Sequence, residues 1–208
     1  MKDERSCPAY EPLRTTARHA AANQFAAAVL LPKTSFIRKV YETGFDVIEL
    51  AQIYEKSCSQ VLLRLGEVLQ GKLFFYGALY EPSRGANTDW RVTYWTSSCN
   101  DDEPEANVYG LYGFFPRKGR EIMPGSLVDM TIREGKSHMA ECIILLDDLD
   151  DLDDVEDDGL VAIARPLMIQ ERPAKVALVV LLTQNRDLLA SQVERISPLV
   201  VKGFHRHL

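Results

Sequence analysis

Apolar positions along this chain change their spacing near residue 70, from a helical period to an alternating one. Upstream, an alanine-rich run carries a helix to Pro32, with Phe25, Val29 and Leu30 on one face and Thr15 or Thr16 as its cap. Its small residues let another backbone approach closely, so the run reads as a buried, close-packed helix. Phe36, Ile37, Val40 and Tyr41 make the apolar face of a short second helix. It stops at Thr43-Gly44, where glycine suits the left-handed position past a helix end. Asp46 and Glu49 give a capping-box-like start to a third, carrying Ile48, Leu50, Ala51 and Tyr54. Ser57 and Gln60 repeat the pattern and launch Val61, Leu62, Leu65, Val68 and Leu69. Leu50-Ala51 followed by Ser57 and by Val61 through Arg64-Leu65 is the register of a helix-turn-helix, with the small Ala51 at the crossing.

Downstream the runs are those of strands. Leu73–Tyr80 and Trp90–Thr96 flank a turn rich in Pro, Gly and Asn. Alternation puts Trp90, Val92 and Tyr94 on one face of the second strand, and Arg91, Thr93 and Trp95 on the other. Val108–Phe115 is a further strand, and Pro124-Gly125-Ser126 opens a helix that ends near Gly135. Met139–Leu146 fits strand or helix. Leu160–Met168 and Lys175–Leu182 are the clearest strands, joined as a hairpin through Gln170-Glu171-Arg172-Pro173. Arg186–Val201 reads as an amphipathic helix bent by Pro198, with Leu188, Leu189, Val193 and Ile196 as its stripe, before a basic tail at His205-Arg206-His207. The expectation is an α+β chain. Residues 1–70 form a helical segment with the helix-turn-helix, and 71–208 an antiparallel sheet with flanking helices on one side.

Composition narrows the function classes. Apolar residues make up 46% of the chain, enough for a real core, and no apolar run is long enough to span a membrane. Cys7, Cys58, Cys99 and Cys142 are scattered, which reads as reduced thiols in a cytoplasmic protein. Much of the net charge of −6 sits in the acidic run Asp147–Asp158, whose spacing does not match a calcium loop and reads as a solvated loop. From Lys33 to Gln70, five basic residues (Lys33, Arg38, Lys39, Lys56, Arg64) face five acidic ones (Glu42, Asp46, Glu49, Glu55, Glu67). Phosphate contacts need clustered cations, so DNA binding by this helix-turn-helix is expected to be weak or absent. A structural or protein-docking role is favoured for Ala51, Ser57, Gln60 and Arg64.

The order Ala22-Asn23-Gln24-Phe25-Ala26-Ala27-Ala28-Val29-Leu30-Leu31-Pro32 resembles the last helix of the catalytic core in the ImmA/IrrE-type zinc metallopeptidases. The helix-turn-helix that follows is similar to one seen in that family. There the block follows an HExxH helix and carries a third zinc ligand, a glutamate three residues before the Ala-Asn pair. Here that position is His19, and HExxH is absent. His138, His205 and His207 make no helical pair, and Gly110, Gly113 and Gly119 make no phosphate loop, so neither metal nor cofactor is expected. The resemblance implies a non-catalytic transcriptional regulator, of a kind tied to stress responses, acting through a regulatory protein partner or a small-molecule ligand. The alternative is the C-terminal portion of an active zinc metallopeptidase whose HExxH helix lies upstream. Element order after residue 71 is similar to a GAF or PAS-like sensory domain. Arg91, Tyr94, Trp95 and Tyr112 are the expected ligand or partner residues, and the terminal stripe is the expected surface of a homodimer.

Overall fold

The computed structural model describes residues 25–26, 28–83, 89–98, 122, 124–142, 160–193 and 196. It is an α+β fold built on one antiparallel sheet. Helices α1 (Lys33–Thr43), α2 (Val47–Ile53) and α3 (Cys58–Leu69) lead into β1 (Phe75–Pro82) and β2 (Trp90–Ser97). Helix α4 (Leu127–Glu134) precedes β3 (His138–Cys142), β4 (Leu160–Ile169) and β5 (Arg172–Leu182). A 3-10 turn (Thr183–Leu189) and a short α5 (Ala190–Val193) follow. The strand order is β2-β1-β5-β4-β3.

Local chemistry accounts for the helix ends. Gly44 lies in the left-handed region (φ 63°) and donates to the Tyr41 carbonyl, while Phe45 donates to Val40, the paired bonds of a Schellman stop. Asp46 caps α2 by accepting from the backbone of Ile48 and Glu49. Ser57 and Gln60 complete the expected capping box of α3. Ser126 caps α4, and Gly135 ends it with φ 63°. Gln170 and Glu171 both have positive φ (49° and 64°), as a two-residue hairpin turn between twisted strands requires.

The sheet is buried on both faces because β1, β4 and β5 are near-continuous apolar runs. On one face Phe75, Leu79, Val161, Ile163, Val179 and Leu181 meet the buried sides of α1, α2 and α3. On the other, Tyr76, Ala78, Tyr80, Ala162, Ala164, Leu178 and Val180 form a second core with Leu127 and Val128 of α4. Helices therefore flank both faces, and the one-sided arrangement expected from the sequence is corrected: strands apolar on both sides need two covers. The period changes at residue 70, but the packing does not, since one core runs from α1 through β5.

Three further expectations are corrected. First, the face bearing Phe25, Val29 and Leu30 is exposed (73%, 59% and 46%), because no described element packs against it; burial begins at Leu31. Second, β1 and β2 slip register between Leu79 and Tyr80: Leu79 pairs with Tyr94 but Tyr80 with Val92, leaving Thr93 as the extra residue. Such a bulge flips every side chain beyond it. Tyr94 thus packs with the α1–α3 side, while Trp90 and Val92 belong to the α4 side. Third, the terminal stripe is used inside the chain. Leu189 and Ile196 are buried in the first core, Leu188 packs against it, and Gln192 donates to the Gly44 carbonyl at 2.6 Å. The segment starts as a 3-10 turn over Thr183–Leu189 in place of the regular helix expected from Arg186.

Candidate functional site

The helix-turn-helix residues form a docked unit. Arg64 is 9% exposed; its Nε donates to the Leu31 carbonyl at 2.9 Å and its Nη1 to Glu67 at 2.9 Å. Ala51 and Cys58 are buried, and burial raises the Cys58 thiol pKa. Ser57 and Gln60 are exposed but spend their side chains on the capping box. A recognition helix would present Cys58, Ser59, Gln60, Arg64 and Glu67 together; here Cys58 is buried in the core and Arg64 is buried against the Leu31 carbonyl and Glu67. The reason is close seating of α3 on β1 and β2. A Cβ on Gly66 would stand 2.3 Å from Thr96 Oγ1, and one on Gly77 2.5 Å from Leu62 Cδ2. Asp46, fully buried, adds an ion pair from the start of α2 to Arg165 on β4.

Of the expected ligand residues, the three described ones, Arg91, Tyr94 and Trp95, do not share a face. Arg91 is exposed and pairs across from Glu81. Tyr94 is half-buried on the α1–α3 side, where burial and the nearby Glu67 raise its phenol pKa, against a lowering hydrogen bond from Thr96. Trp95 is 39% exposed and stacks on Tyr76, with ring centroids 6.0 Å apart and planes 17° apart. Tyr112 and His19 lie outside the described residues, as do the strand expected at 108–115, the acidic run, and His205 and His207.

The α4 side of the sheet holds groups that sequence reasoning did not single out. Tyr80 is 1% exposed, and its hydroxyl is buried with no hydrogen-bond partner. Burial pushes the phenols of both Tyr76 and Tyr80 well up. At the same end of the sheet a cleft of about 180 Å³ is lined by Asp89, Trp90, Ile122, Asp129 and Ile132. The aromatic density of 74–95 was the available signal, but alternation without the bulge assigns Trp95 to the wrong face.

His138 is buried, with Nδ1 3.2 Å from Thr131 Oγ1 and Nε2 3.1 Å from Glu134. The order hydroxyl, imidazole, carboxylate is that of a nucleophile relay, but Thr131 is fully buried and bonded to the Leu127 carbonyl. The trio therefore ties α4 to β3. Among the described residues, no group of three His, Cys, Asp or Glu side chains is placed to hold a metal, and no helix is long and apolar enough to cross a membrane.

No family model and no curated protein matches the chain. Among solved structures it is similar to a Mycobacterium tuberculosis transcriptional regulator, with 14% identity and a TM-score of 0.53. The match covers 91% of this chain and 54% of that one, so this chain spans about half the length of its neighbour. What the two share is the fold.

Proposed function

We propose that this chain is the ligand- or partner-responsive part of a transcriptional regulator, non-catalytic and of the ImmA/IrrE-like type, with a GAF/PAS-like sheet domain. The observation that carries the reading is the fixed seating of the helix-turn-helix on the sheet. Arg64 ties α3 to the Leu31 carbonyl, and Asp46 ties α2 to Arg165. A helix pair fastened in this way follows any rearrangement of the sheet and is poorly placed to read base edges, which needs exposed side chains on its second helix. The neighbour of similar fold, named a transcriptional regulator, supports the same direction. The local five-against-five charge balance adds that duplex DNA is held weakly by this part of the chain.

Deletion of the gene in its own organism, with complementation by wild type or by Arg64→Ala, tests the proposal. The expected result is a defined set of altered transcripts, restored by wild type and not by the variant. An unchanged transcript profile would end the regulator reading.

A further inference from the structure

We draw no further inference here: the strongest candidate, the exposed apolar patch that Phe25, Val29 and Leu30 form on the helix before Pro32, carries none, because nothing in the structure shows what covers it.

Discussion

Replacing Arg64 with alanine separates the two roles that a helix-turn-helix arginine can have. In this fold its Nε is bonded to the buried Leu31 carbonyl and its Nη1 to a Glu67 side chain that is 21% exposed. Alanine leaves that carbonyl without a donor, and losing a charge-assisted bond to a buried acceptor costs about 1.5–3 kcal/mol. Loss of the partly buried ion pair adds about 1 kcal/mol. The sum is about 2.5–4 kcal/mol, a large share of the roughly 5–15 kcal/mol that holds a domain folded. At about 2–4 °C per kcal/mol for a chain of this length, the midpoint falls by roughly 10 °C. Urea unfolding and calorimetry measure it. Arg64→Met keeps the aliphatic stem against α3 and loses only the donors, so it is expected to cost less than alanine but well above zero. Limited proteolysis should also cut faster around Leu31-Pro32 in both variants, since Arg64 tethers that segment. A surface arginine poised for phosphate would change stability by no more than about 0.5 kcal/mol. That result for Arg64→Ala would mean that Arg64 does not tether the Leu31 segment to α3.

Gly66→Ala places a Cβ 2.3 Å from Thr96 Oγ1, and is expected to cost about 2 kcal/mol by overpacking. Adding Thr96→Ala removes the clashing atom and should recover most of it, a coupling that a double-mutant cycle reads directly. Glu171→Gly relieves a left-handed residue (φ 64°) in the β4–β5 turn and is expected to gain about 0.5–1 kcal/mol in urea unfolding. Tyr76 and Tyr80 keep their protons in the folded state past the unfolded tyrosine value of about 10. Stability is therefore whole below that pH and falls as pH rises through it. Tyrosinate absorbance followed beside circular dichroism should show part of the tyrosine titrating only as the chain unfolds, and Tyr80→Phe should move that loss to higher pH.

Much of this fold was legible in the sequence, and the misses have physical causes. The capping pairs Ser57–Gln60 and Asp46–Glu49, the stop at Gly44 and the hairpin at Gln170-Glu171 are local chemistry, read from adjacent residues. So were the paired apolar strands β4 and β5. The bulge at Thr93 was not legible, because no glycine marks it and it exists only where β2 meets β1. That one residue puts Trp95 on the side of Tyr76, Trp90 and Val92 and moves Tyr94 to the other, so the alternation that grouped Trp95 with Arg91 and Tyr94 with Trp90 fails. Leu189 and Ile196 have the spacing of a dimer stripe, yet spacing alone does not say whether the covering surface is a second chain or α1. The cleft joins Asp89 and Trp90 to Asp129 and Ile132, residues far apart in sequence that meet through sheet order.

Helices α2 and α3 are part of the sheet's own core. Native-state hydrogen exchange under increasing denaturant measures this directly, because elements that open together share one free energy and one denaturant dependence. The slowest amides of Val61–Leu69 are expected to merge with those of β1 and β5 into a single cooperative unit, and Arg64→Ala to lower all of them together. Exchange of α2 and α3 through an opening several kcal/mol below that of β5 would instead make the helix pair a separable module.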